Sequence, residues 1–143
     1  RPDGTVILYD FGCIKNLRPS TVEAYRNCII DALNQDYHAL DQHLIHLGAR
    51  VEDHPPVDPE YYREWRNILY QPFDPANQPY DFGQSDLHQQ VAAHTHTVFQ
   101  HLDAFKPPVE SILIDRMVAG HYWMLKRLGV KADFRPLLEE YLR

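Results

Sequence analysis

The pattern of apolar and polar residues changes character after residue 17. Before it, residues 5–9 form a short apolar, β-branched run, which predicts a buried strand. The Arg-Pro-Asp-Gly sequence at 1–4 predicts a tight turn, because proline fixes φ and glycine accepts positive φ. We therefore expect the chain to open on a turn and the second strand of a β-hairpin, and this strand ends at Asp10.

Beyond residue 17, apolar residues recur every three or four positions, which predicts helices. Ser20 and Glu23 have the spacing of a capping box, so the first helix is predicted to begin there with Pro19 just outside it. A second helix is predicted from about Asp36 to its terminator Gly48.

A third helix is predicted after Asp58, which can cap it, and Pro59, which suits a first helical position. Its aromatic residues fall at helical spacing, which is more typical of core packing than of a ligand surface. They are Tyr61, Tyr62, Trp65 and Tyr70. An irregular loop is predicted over 71–79, which contains three prolines.

Three more helices are predicted, over 85–104, 109–128 and 132–142, with breaks at 106–108 and at Gly129. The predicted fold is therefore mainly α: a short N-terminal β-hairpin followed by about six helices. We expect a single domain over 1–143, with the hairpin and its Asp-Phe-Gly loop in 1–17 and a helical region in 18–143.

The composition of the chain argues against several functional classes. The chain has 143 residues, 44% of them hydrophobic, and can bury a core. A net charge of −6 argues against a general nucleic-acid or anionic-membrane surface. No apolar run approaches the ~20 residues that cross a bilayer. Cys13 and Cys28 have neither metal-ligand nor disulfide spacing, so we expect reduced thiols and an intracellular location.

The candidate chemistry lies in Asp10-Phe11-Gly12. A carboxylate at the end of a strand, followed by a flexible glycine, is how kinase-like enzymes hold the Mg²⁺ that bridges ATP phosphates. The same tripeptide recurs at 81–83, but there it follows Gln-Pro-Tyr rather than an apolar run. We interpret the second copy as a loop leading into a helix, without metal chemistry.

Several segments, taken in order, carry a resemblance to a known family. They are residues 1–12, 33–37, 44–48, and a late helix from Pro108 through Arg116, Gly120 and Leu128. Together they resemble the C-terminal half of AarF/UbiB-type atypical kinases, a family linked to ubiquinone metabolism. The first segment is similar to the family's strand and metal motif, and the others to its "helix, Asp, helix, Leu-Gly" stretch and its late helix.

The resemblance implies the helical C-lobe of a protein-kinase-like fold that binds Mg²⁺ and ATP. Asp10 would coordinate Mg²⁺, Phe11 would pack into the helical lobe, and Gly12 would let the chain turn. The phosphate-covering loop, the lysine and the catalytic loop of such a site would lie before Arg1, in an N-terminal lobe. We therefore expect these 143 residues to be inactive alone and to hold no cofactor when isolated. The partners implied are that lobe and membrane-associated ubiquinone-pathway proteins or lipid, without nucleic acid.

Two other interpretations stay open. The chain could be a pseudokinase-like or helical interaction module that binds a partner through its aromatic third helix, without phosphoryl transfer. It could also be a plain helical domain in which the Asp-Phe-Gly sequence is coincidental. A lysine on a strand and an Asp…Asn catalytic loop upstream of Arg1 would favour the enzyme.

The remaining polar residues are predicted to be structural. His94 and His96 are two apart and point in different directions on a helix, while His43 and His46 are better spaced but have no evident third ligand. Solvated or capped histidines are therefore expected rather than zinc. Arg116 is predicted to pair with a carboxylate such as Asp36 or Asp115, and Cys13 to be a small packing residue.

Overall fold

The computed structural model describes residues 2–5 and 16–143, and this part of the chain is mainly helical. Its helices are α1 (Pro19–Asn34), α2 (Tyr37–Leu47), α3 (Pro59–Leu69), α4 (Leu87–His94), α5 (His96–Phe99), α6 (Val109–Arg127) and α7 (Arg135–Leu142). Two short strands, β1 (Tyr80–Asp81) and β2 (Lys131–Ala132), form an antiparallel sheet. The predicted mainly α class is confirmed.

The turn predicted at the start is present in residues 2–5. Gly4 has a φ of +83°, and the Thr5 amide donates to Asp3 Oδ1 over 3.0 Å. The predicted strand that follows, with Asp10 at its end, lies outside the described residues.

The capping box predicted at Ser20 is wrong, because α1 begins one residue earlier at Pro19. Proline suits a first helical position, since its missing amide would have no partner there. The Arg18 carbonyl accepts from the amides of Thr21 (2.9 Å) and Val22 (3.1 Å), which places Ser20 inside the first turn. At the other end Gln35 adopts a left-handed conformation with φ of 58°.

The predicted boundaries of α2 and α3 are confirmed. Asp36 caps α2 by accepting from the Ala39 amide over 3.0 Å, and Gly48 ends it with a φ of 77°. Asp58 caps α3 by accepting from the Glu60 amide over 2.9 Å, directly before Pro59. At each helix start an aspartate accepts a hydrogen bond from a free backbone amide, and at the end of α2 a glycine adopts the left-handed conformation that terminates the helix.

The segment 71–79 is more regular than predicted, since it contains two 3₁₀ turns, Gln71–Phe73 and Pro75–Asn77. The continuous helix predicted over 85–104 is wrong, because α4 ends at His94 and α5 is a separate short helix. At the break, the Thr95 hydroxyl donates to the Val91 carbonyl over 2.8 Å. Such local bonding competes with the helical ladder.

The sheet was not predicted. In it Tyr80 pairs with Ala132 and Asp81 with Lys131. Because β2 occupies the start of the helix predicted over 132–142, α7 begins later, at Arg135, with Pro136 in its first turn. The sheet is extended by the Phe82 amide, which donates to the Val130 carbonyl over 2.9 Å.

Within the described residues, the core has two parts. The first lies where α2 and α3 meet the loops at 57 and 104, and α1 packs against it. Its buried residues are Leu40, Val57, Tyr62 and Ala104. The second surrounds Phe82 at the sheet, where aromatic rings from β1, α6 and the start of α7 meet.

Candidate functional site

The predicted magnesium ligand and its neighbours, Asp10, Phe11 and Gly12, lie outside the described residues, as does Cys13. Their predicted roles therefore stay predictions. The described residues do show what the second Asp-Phe-Gly copy does, and this provides a comparison for the first.

The second copy is a packing element of the sheet. Asp81 lies in β1, so its interpretation as a loop residue is wrong. Phe82 is only 6% exposed, and its ring makes edge-to-face contacts with Tyr80 and Phe134, each with centroids 5.0 Å apart. Asp81 Oδ1 accepts from the Gln84 amide over 3.2 Å, and Oδ2 lies 3.9 Å from Lys131 Nζ. The Asp81 carboxylate thus stabilises a turn.

The aromatic residues of α3 contribute to packing, as their spacing predicted. Tyr62 is buried, and the Tyr61 ring lies 5.4 Å from Phe105 and 4.4 Å from the His101 ring. Trp65 is half-buried with its ring 4.9 Å from that of His94. This helix therefore directs much of its aromatic surface toward the interior.

A buried polar network joins α2, α3 and two loops. Arg50 is 3% exposed, and its Nε donates to Asp41 Oδ1 over 2.9 Å. The Tyr62 hydroxyl donates to the same carboxylate oxygen. The guanidinium also donates to the carbonyls of Val51 (2.8 Å) and Pro55 (2.5 Å). Burial and the hydrogen bond to Asp41 raise the pKa of Tyr62, because both disfavour the phenolate.

The pairing predicted for Arg116 is wrong, and a buried ion pair is formed by Arg50 and Asp41 instead. Arg116 is exposed on α6, and the ion pairs of the described residues include none between it and Asp36 or Asp115. The sequence carried one signal for the true pair: Asp41 lies three residues before Leu44, which places both on one side of α2. Nothing in the local pattern pointed to Arg50.

Several histidines pair with carboxylates. His43 Nδ1 lies 2.5 Å from Asp31 Oδ2, His54 Nε2 lies 3.2 Å from Asp103, and His94 Nε2 lies 3.3 Å from Glu64. The hydrogen bond from His54 lowers the pKa of Asp103. Over residues 2–5 and 16–143, no three His, Cys, Asp or Glu side chains are grouped as metal ligands.

An apolar cavity of about 350 Å³ lies between α1, α3 and α7. Its walls include Cys28, Ile29, Leu33, Trp65, Leu69 and Leu138. Burial, followed by the charge of Asp31, raises the pKa of the Cys28 thiol to about 11. The helical spacing predicted that α1 and α3 have apolar faces, but it did not predict that a space would remain between them.

Helix α6 exposes much of its apolar surface. Leu113 is 44% exposed and Leu128 70%, and the positions between them include further exposed apolar residues. These are Met117, Val118, Trp123 and Met124. Among the helices that the structure describes, none combines the length and apolar character needed to cross a membrane.

No family model matches the chain, and neither a curated protein nor a solved structure shows significant similarity to it.

Proposed function

We propose that this chain is the helical part of an atypical kinase or ATPase in which Asp10 binds the Mg²⁺ of Mg-ATP. The observation that carries the proposal is the context of Asp10, which follows a turn and an apolar strand pattern. Asp81, in the same tripeptide, is committed to a turn through the Gln84 amide.

The order of elements after the motif gives further support. The "helix, Asp, helix, Leu-Gly" stretch of the resemblance coincides with α1, the capping residue Asp36, α2, and the terminator Gly48. Its late helix coincides with α6. A mainly helical region directly after the metal motif is what a kinase-like C-lobe requires.

An aspartate is a suitable residue type for the proposed Mg²⁺ site. Mg²⁺ prefers hard oxygen ligands and commonly shares them with phosphate and water, so one carboxylate at Asp10 is a suitable protein ligand. Bound Mg-ATP would supply a phosphoryl group whose charge the metal neutralises. By resemblance, the parent protein acts in ubiquinone-linked or lipid metabolism and is membrane-associated, and the 143 residues alone are inactive.

The test is a calorimetric titration of Mg-ATP into the full-length parent, with Asp10→Asn as the variant and Asp81→Asn as the matched control. Both substitutions remove one carboxylate charge from the same tripeptide. We expect Asp10→Asn to lose the Mg²⁺-dependent part of binding and Asp81→Asn to keep it, because an amide oxygen can still accept from Gln84. No binding by the wild type, or equal binding by all three proteins, would contradict the proposal.

The isolated chain offers a second test. We expect it to show no Mg-ATP hydrolysis, because the resemblance assigns the other parts of the site to residues before Arg1. Hydrolysis that disappears in Asp10→Ala would show instead that the chain is catalytically complete.

A second candidate is a helical interaction module without phosphoryl transfer, and the exposed face of α6 favours it. One side of this helix carries Leu113 and Met117, then Met124, and Leu128 follows at its C-cap, with spacings typical of a helix-packing seam. On α3, to which this role was first assigned, Tyr62 is buried and Tyr61 packs against Phe105. We propose the upstream lobe of the parent as the partner of α6.

This candidate predicts that the upstream lobe, produced as a separate chain, binds the 143 residues. Met117→Glu should weaken that binding strongly, because it places a charge in the seam. Leu102→Glu, at a similarly exposed position outside α6, is the control. Equal binding by both variants would exclude the α6 seam as the contact.

A further inference from the structure

The cavity between α1, α3 and α7 has the size and lining of a ligand site. Its volume of about 350 Å³ lies within the ~300–1,000 Å³ of small-molecule pockets. The space is partly open to solvent, so a ligand can enter it. Aliphatic and aromatic side chains form nearly all of the wall, so the space suits an apolar group better than water.

Arg66 is the only charged residue among the described residues that line the cavity. Its guanidinium stacks on the Tyr70 ring, 4.4 Å from the centroid, and one terminal nitrogen donates to Asn67 Oδ1 over 3.2 Å. Its Nε is buried and meets no acceptor among the described residues. Among the described residues, the guanidinium therefore has donor capacity that its bond to Asn67 does not use.

Trp65, the neighbouring wall residue, presents a second donor of this kind. Its Nε1 is buried and has no hydrogen-bond partner in the part of the chain that the structure describes. Burial raises the pKa of Tyr61 and the Trp65 indole partly offsets this rise, so Nε1 lies near the Tyr61 hydroxyl rather than at the cavity surface. Among the described residues, Arg66 is therefore the charged side chain that borders an otherwise apolar cavity.

We propose that this cavity binds an amphiphile with a single aliphatic chain and an acidic head group. The chain would fill the apolar space between α1 and α3. The head, a carboxylate or a phosphate, would accept hydrogen bonds from Arg66 and neutralise its charge. The proposal goes beyond the proposed Mg-ATP site and does not depend on it.

The two tryptophans allow a direct measurement, because Trp65 lies in the cavity wall and Trp123 is 53% exposed on α6. In Trp123→Phe, fluorescence reports on Trp65 alone. We expect dodecanoate and dodecyl phosphate to cause a saturable change in emission below their micelle concentrations. Comparing these two distinguishes a carboxylate from a phosphate head. Dodecanol should bind more weakly and dodecylamine most weakly, since their heads are neutral and positive.

Arg66→Gln tests the head-group contact and Arg63→Gln is its matched control. Arg63 lies one turn earlier on α3, exposed and paired with Glu60. Loss of a charge-assisted contact should weaken dodecanoate binding by at least about tenfold in Arg66→Gln and leave dodecanol binding unchanged. Arg63→Gln should bind both ligands like the wild type.

Ile29→Trp tests the part of the cavity that would bind the aliphatic chain of the ligand, because the larger side chain fills the space from α1. It should abolish binding of dodecanoate and dodecanol alike, with folding checked by circular dichroism. If this variant fails to fold, protection of Cys28 replaces it: in Cys13→Ser, bound dodecanoate should slow alkylation of this wall residue. Absence of saturable binding, or equal binding of all head groups together with an unchanged Arg66→Gln, would overturn the proposal.

Discussion

Arg50 Nε donates to Asp41 Oδ1 over 2.9 Å in a pair from which solvent is almost excluded. The same arginine donates to loop carbonyls at Val51, Pro55 and Ala104, so one side chain links α2 to two loops. The desolvation of such a pair offsets much of its attraction, but removing one partner leaves a buried charge uncompensated. We therefore expect the loss of one partner to destabilise the protein more than the intact pair stabilises it.

The first prediction concerns Arg50→Met. We expect it to lower the free energy of unfolding by roughly 3–5 kcal/mol, because it leaves the Asp41 carboxylate buried without its cation. Urea denaturation followed by circular dichroism measures this change. Arg63→Met, which breaks an exposed pair with Glu60, should lower the free energy of unfolding far less, because solvent screens an exposed ion pair. Equal losses in the two variants would show that the buried network has no special role.

The second prediction concerns the left-handed residue that ends α1. Gln35 has a φ of 58°, a conformation in which a Cβ is strained. Gln35→Gly should raise the free energy of unfolding by about 0.5–1 kcal/mol, as glycine relieves that strain.

Gly48, which ends α2 with a φ of 77°, provides the reverse experiment. Space is open around its missing Cβ, so Gly48→Ala tests the backbone conformation alone. It should lower the free energy of unfolding by about 1 kcal/mol. Thermal unfolding of both variants shows whether the two changes have opposite signs, and a destabilised Gln35→Gly would contradict the strain at the end of α1.

The third prediction compares two further glycines. A Cβ on Gly83 would lie 3.1 Å from Gly129 Cα, which is backbone and cannot rotate away. Gly83→Ala should therefore destabilise the sheet region. Gly120, inside α6, has open space at that position, so Gly120→Ala should stabilise the protein by up to about 1 kcal/mol through helix propensity. Denaturant unfolding that moves both variants in one direction would contradict this contrast.

Local signals account for what the sequence predicted correctly. Asp36, Gly48 and Asp58 mark helix ends because a cap or a positive φ is decided by the residue itself and its close neighbours. The break of α4 at Thr95 was missed, because threonine does not by itself end a helix and its hydroxyl here bonds back to Val91.

Features that depend on contacts between distant parts of the chain could not be predicted from the local sequence pattern. Pairing of Tyr80 with Ala132 joins positions far apart in the chain, and a two-residue strand has no periodicity to detect. The Arg50–Asp41 pair and the cavity beside Arg66 likewise depend on how helices meet. The proposed metal ligand Asp10 was found from its motif and its context, and it remains a prediction.

The last prediction concerns Cys28, whose pKa is raised to about 11 from its ordinary 9.0, first by burial and then by the Asp31 charge. In Cys13→Ser, alkylation of Cys28 should be slow at neutral pH and accelerate up to about pH 11. The folded state disfavours the thiolate. The stability that the protonated Cys28 thiol contributes is therefore complete below about pH 9 and is lost as the pH rises toward 11.

The comparison variant carries both Cys13→Ser and Asp31→Asn. The second substitution removes the Asp31 charge, so that burial remains as the main cause of the raised pKa of Cys28. Its alkylation profile should shift to lower pH while staying above the ordinary thiol range, because burial is the larger cause. Iodoacetamide rates measured by mass spectrometry at increasing pH give both profiles. A profile near pH 9 in the protein with Asp31 intact would show that the thiol is well solvated, and the wall of the cavity at Cys28 would then be open to water.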